Sequence, residues 1–180
     1  MYAYAGSIET ETLDNPSLRS PLTADAMETT TNDHTSAPPI VVTHEGGLRF
    51  SAQARSHRIV TDQSRKANGS DTGPTPVELL GAALGSCVAL YAQQFCEVRD
   101  LPFEGMKVEV RQRNESNPSR VGQFSIRVVM PEQLPERYAL LLGKVVRSCP
   151  VHNTLLHSAG LTFDIVLPTG KTLTAAAKNS

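Results

Sequence analysis

The hydrophobic positions fall into short alternating runs and two long helical stretches. PIVVTHEGGLRFSAQA, residues 39–54, alternates loosely and reads as one bent strand, or two, with Gly46-Gly47 as a bulge. Arg55-Ser56-His57 forms a hairpin tip, and HRIVTD is a short returning strand. QSRKANGSDTGPTP is loop by composition. A strong helix follows in PVELLGAALGSCVALYAQQFCEVRD. Thr75 is a good N-cap, Pro76 suits the first helical position, and Glu78 completes a capping box.

GMKVEVRQRNE places Met106, Val108 and Val110 on one face, and VGQFSIRVVMP does the same with Phe124, Ile126, Val128 and Met130. The turn residues SNPSR between them predict an antiparallel hairpin. LPERYALLLGKVVRS is a second, amphipathic helix, and PVHNTLLHSAG a third, short one ending at Gly160. LTFDIVLP closes as a strand with Phe163, Ile165 and Leu167 on its apolar face. The order ββ-α-ββ-αα-β leaves little room for parallel crossovers, which predicts an α+β fold on antiparallel sheet.

Composition divides the chain. Met1 to Ala37 carries seven Thr, six acidic residues and one basic residue, Arg19, without apolar periodicity. That pattern predicts a disordered tail, with a domain over 38–170 and a flexible C-terminal tail over 171–180. The whole chain has 17 basic and 18 acidic residues; outside the first 37, 16 and 12 remain, a net of +4. Nothing in this balance points to nucleic acid or an anionic membrane, and no apolar run reads as a membrane span. Three cysteines, an odd and low count, argue against a secreted disulfide scaffold and suit a cytoplasmic location.

Cys149 stands directly before Pro150, so one helix ends near Ser148 and the next begins at Pro150 with Cys149 as N-cap. A thiol there meets unpaired backbone N–H groups and the positive end of the helix dipole, which predicts a lowered pKa. An inert cysteine filling a helix junction is the other reading. Cys87 lies mid-helix in LGSCVAL, among Gly81, Ala82, Ala83, Gly85, Ser86 and Ala89. It is either a small core residue at a tight contact or an accessible thiol. Cys96, nine residues on, falls on the opposite side of the helix and reads as a bystander. Cys149, His152 and Cys87 could share a metal, but there is no CxxC or HxH spacing, and none is expected. A Cys–His hydrolase with His152 or His157 as base has no supporting signature.

DTGPTPVELLGAALGSCVAL followed by SCPVHNTLL resembles the OsmC/Ohr family of thiol peroxidases, over about residues 39 to 168. The resemblance implies an OsmC-like homodimer of intertwined subunits, with antiparallel sheets wrapped around central helices. It also implies reduction of hydroperoxides, often organic, by two cysteines without a cofactor. Cys87 would attack the peroxide, Cys149 would resolve it, and an external dithiol or lipoyl-type reductant would restore both. Leu84 and Tyr91 would line the substrate site. The family's arginine, which holds the thiolate, would be Arg55, with Arg49 and Arg58 behind it. The glutamate that holds this arginine aligns with Val77, so that the substrate-side position carries no carboxylate. Glu78 lies about 180° around the helix from Cys87 and is explained by its cap. The departure leaves a second reading open: a non-enzymatic redox sensor, or a binder of small apolar or electrophilic molecules.

Overall fold

The computed structural model describes residues 37–157 and 159–176. The acidic segment read as a tail therefore lies outside the described residues, apart from Ala37. Three strands open the fold: β1 (Val41–His44), β2 (Phe50–Ala54) and β3 (His57–Thr61), all antiparallel in the order β1-β2-β3. The Gly46-Gly47 pair is not a bulge. Both residues have positive φ, 105° and 57°, and form the turn that separates β1 from β2. The turn is closed by Glu45 N–H donating to the Arg49 carbonyl at 3.0 Å. Glycine enters this region without the Cβ clash, so the chain reverses here.

The loop from β3 to the first helix is organised by Asp62, which is only 1% exposed. Its carboxylate accepts from the N–H of Gln63 (2.7 Å), Ser70 (3.2 Å) and Thr72 (3.1 Å), and from the Thr72 hydroxyl (2.9 Å). Gly73 lets the returning backbone lie against β3: a Cβ there would sit 2.6 Å from the Val60 carbonyl oxygen. The loop delivers the chain to α1 (Pro76–Glu97), whose first turn is closed reciprocally. Glu78 N–H donates to Thr75 Oγ1 at 3.2 Å, and Thr75 N–H donates to Glu78 Oε2 at 2.7 Å.

A long hairpin, β4 (Lys107–Ser116) with β5 (Ser119–Val129), packs on α1. Then come α2 (Glu136–Val145), a 3-10 turn at Val146–Ser148 and α3 (Pro150–Leu156). The chain closes with β6 (Thr162–Val166) paired antiparallel to β7 (Thr172–Ala176). β7 corrects the expectation of a flexible tail from 171: Gly170, at φ 79°, reverses the chain, and Leu173 is placed opposite Ile165. The observed order is βββ-α-ββ-αα-ββ, an α+β fold on small antiparallel sheets.

α1 carries both parts of the core. Ala92, Phe95 and Cys96 bury against Leu142 of α2, while Leu84 and Val88 bury against Cys149. At 22 residues, α1 is long and apolar enough to cross a membrane, contrary to the sequence reading that no such run exists. Leu84, Val88, Ala92, Phe95 and Cys96 of this helix are used in packing, while Val77, Leu80 and Leu90 stay exposed.

Candidate active site

Two thiols meet where α1 passes the start of α3. Cys149 is the N-cap of α3 at φ −69°, ψ 143°, with Pro150 at the first helical position. Its Sγ accepts the His152 backbone N–H at 3.3 Å, filling one of the donors a helix start leaves open. The side chain is 0% exposed and packs with Leu84 and Val88; Cys87, Tyr91, Val146 and Val151 complete the surround. Cys87 is half-buried, so of the two thiols it is the one open to solvent. Both are free.

The helix-start position does not lower the Cys149 pKa as the sequence suggests. Burial pushes the thiol up, outweighing the His152 N–H that stabilises its thiolate, and the adjoining Cys87 raises it further. The capping geometry is local and legible; the desolvation that reverses its effect comes from packing against Leu84 and Val88 of α1. Cys96 is also fully buried, in the other core cluster, and its thiol is raised by burial with Arg99 opposing.

The remaining sequence candidates divide. Leu84 (1% exposed) and Tyr91 both belong to the wall around the cysteines. Val77 does not: it is 40% exposed on the first turn of α1, about 15 Å of helix rise from Cys87. The small residues that surround Cys87 in the sequence line an open groove of about 610 Å3 along the neighbouring flank of α1. Gly81, Ala82, Gly85, Ser86 and Ala89 face Val108 and Val110 across it. Among the described residues no group of three metal-ligating side chains comes together.

The family model for OsmC-like proteins matches residues 69–164, from the loop before α1 into β6. The chain belongs to the OsmC-like protein family. Solved structures agree on the fold. An osmotic stress induced and detoxification response protein from Psychrobacter arcticus 273-4 superposes with a TM-score of 0.60 at 24% identity, covering 64% of this chain and 85% of its own. An OsmC like protein from Mycoplasma pneumoniae gives 0.57 at 18% identity, over 67% and 87%. A hypothetical protein from Aquifex aeolicus VF5 gives 0.56 at 16%, over 67% and 88%. No curated protein sequence matches the chain.

In this OsmC-like chain the arginines of the first sheet have their own carboxylate. Glu45, in the β1–β2 turn, accepts from Arg49 Nε at 3.0 Å and from Arg58. The Arg58 hydrogen bond, with those of Ser51 and Arg49, holds Glu45 down to about 2. Arg49 also donates to Thr72 Oγ1 at 3.4 Å, which links this cluster to the Asp62 loop. Arg55 stands apart: it is exposed at the β2–β3 tip with φ 56°, and its carbonyl accepts the Gln53 side-chain amide at 2.8 Å. Glu45 and Asp62 were not singled out by the sequence. Their partners lie up to thirteen and ten residues away, with no motif to announce them.

Proposed function

We propose that this OsmC-like protein is a thiol-dependent peroxidase in which Cys87 reacts first and Cys149 resolves. The observation that carries the reading is the packing of the half-buried Cys87 against the fully buried Cys149 at one helix junction. A thiolate at Cys87 attacks the terminal oxygen of a hydroperoxide; the O–O bond breaks, the alkoxide takes a proton and leaves as alcohol, and Cys87 becomes a sulfenic acid. The Cys149 sulfur then attacks the Cys87 sulfur, forming the disulfide and releasing water. An external dithiol or lipoyl-type reductant exchanges with that disulfide, restoring both thiols and becoming oxidised itself.

Burial suits Cys149 to the second role, because a protonated, enclosed thiol reacts poorly with peroxide in solution. The apolar wall of Leu84, Val88 and Tyr91 favours an organic hydroperoxide over hydrogen peroxide. A homodimer is part of the proposal. Val42 and Ile59 lie level across β1–β3, and together with Phe50 they are exposed, as are Phe163 and Ile165 of β6. Exposed apolar faces of this kind call for a partner. The free thiols suit the reducing cytoplasm.

A second reading, an OsmC-fold redox sensor or electrophile binder, is favoured by one observation. Val77 stands where the resemblance expects a carboxylate, and the adjacent Glu78 is committed to the Thr75 cap. The test is peptide mass spectrometry after one equivalent of cumene hydroperoxide, followed by turnover with dihydrolipoate. A Cys87–Cys149 disulfide with repeated turnover supports the peroxidase. A disulfide that forms once and turns over negligibly moves the assignment to the sensor. Two thiols left free sink both redox readings.

A further inference from the structure

A second cavity, of about 280 Å3, lies between α2 and the end of β5, away from the groove on the flank of α1. Val128, Met130, Leu134, Leu142 and Val146 wall it, and no charged side chain contributes. Ala139 and, in the last turn of α2, Gly143 complete the wall. Nothing about the backbone asks for glycine there, since Gly143 is not in the left-handed region, and a Cβ would meet no atom within 4 Å. Glycine is a poor helix former, so its presence in the last turn of α2 leaves the cavity open at a cost in helix stability. The cavity also touches the thiol site. Val128 and Val146 line it and pack on the cluster that encloses Cys149, and Val146 begins the turn that leads to Cys149.

We propose that this cavity binds an aliphatic chain, the hydrocarbon part of a fatty alcohol or fatty acid with its head in solvent, and that occupancy is felt at Cys149. The wall offers neither a hydrogen-bonding side chain nor an aromatic face, so apolar burial and dispersion are what it can supply. The space is that of roughly nine water molecules, enough for a medium-length chain. The site is independent of the peroxide chemistry and stands whether or not Cys87 turns over.

The full-length chain is titrated with decan-1-ol and, separately, with sodium decanoate. Two quantities are read: the thermal unfolding midpoint, and the rate at which N-ethylmaleimide modifies Cys149, resolved by peptide mass spectrometry. The expected result is a saturable rise in the midpoint and a several-fold slower modification of Cys149. Both effects are lost in Gly143→Leu and in Ala139→Leu, which fill the same space from adjacent turns of α2. An absent or non-saturable response in the natural chain overturns the proposal, as does an undiminished response in folded filled variants. Should neither variant fold, methyl NMR of the natural chain decides. Decanol shifts confined to Val128, Leu134, Leu142 and Val146 support the site, and shifts elsewhere or none overturn it. Sedimentation covers the remaining occupant: if filling the cavity changes the association state while decanol does not bind, a second copy sits there and the ligand site is refuted.

Discussion

Cys149 lies fully buried against the half-buried Cys87, with the Cys149 sulfur taking the backbone N–H of His152. Under the proposed mechanism exposure divides the labour between two chemically identical groups: a peroxide in solvent would reach Cys87, and the Cys149 thiol, raised by burial, would act second.

That relationship separates the two serine variants. Cys149→Ser keeps an N-cap, because a serine hydroxyl accepts the same backbone N–H. It should stop at a Cys87 sulfenic acid, trapped by dimedone and seen by mass spectrometry. Cys87→Ser should consume peroxide at least tenfold more slowly and yield no intramolecular disulfide. Dimedone adducts on Cys149 in the Cys87→Ser protein would reverse the assignment.

Much of this site can be read from the sequence where the rule is local. Thr75, Pro76 and Glu78 announce the start of α1, and Pro150 places Cys149 at the start of α3. What fails to show is anything set by packing over distance. The rise of the Cys149 thiol depends on desolvation by other elements, so the local dipole argument gives the opposite sign. Gly46-Gly47 reads as a bulge because nothing local says that β2 turns back fully. β7 is missed because Thr-Leu-Thr followed by alanines is weak strand sequence until Leu173 meets Ile165.

The capping box gives a stability prediction with a functional control. Thr75→Ala should cost about 1 kcal/mol in urea unfolding, the usual cost of an N-cap threonine. Glu78→Gln retains an acceptor for the Thr75 N–H and removes the charge. Its rate of Cys87 oxidation should equal that of the natural chain. A tenfold drop would make Glu78 the missing carboxylate after all.

Gly73 tests the loop that carries the chain into α1. A methyl group there would sit 2.6 Å from the Val60 carbonyl oxygen, which is backbone and cannot swing aside. Gly73→Ala should destabilise by about 1–3 kcal/mol, the range for forced overpacking. Gly143→Ala, where nothing lies within 4 Å, should be neutral or stabilising. The denaturation midpoint should fall in Gly73→Ala and should not fall in Gly143→Ala.

Acid should weaken the first sheet through Glu45. Its carboxyl is held at about 2 against an ordinary 4.5, chiefly by Arg58. The unfolded chain therefore binds this proton more readily than the native one. The stabilisation is fully present above pH 4.5 and disappears as pH falls through about 2. Glu45→Gln should flatten the slope of stability against pH across that window, measured by urea unfolding, and leave the slope above pH 6 unchanged.

Arg55 poses the sharpest question about activation of Cys87. It occupies the left-handed region at φ 56°, where a side chain costs stability and glycine does not. Arg55→Gly should therefore preserve or raise the unfolding midpoint, which removes misfolding as an explanation for any loss. If Arg55 holds the Cys87 thiolate, the rate of Cys87 oxidation by cumene hydroperoxide should fall at least tenfold in that variant. The pH at which Cys87 becomes reactive toward iodoacetamide should rise with it. Arg49→Gln and Arg58→Gln lose their Glu45 partner and loosen the β1–β2 turn, so their midpoints should drop while the Cys87 reactivity profile stays in place. A profile that moves with Arg49 or Arg58 instead would transfer the thiolate-holding role to the Glu45 cluster.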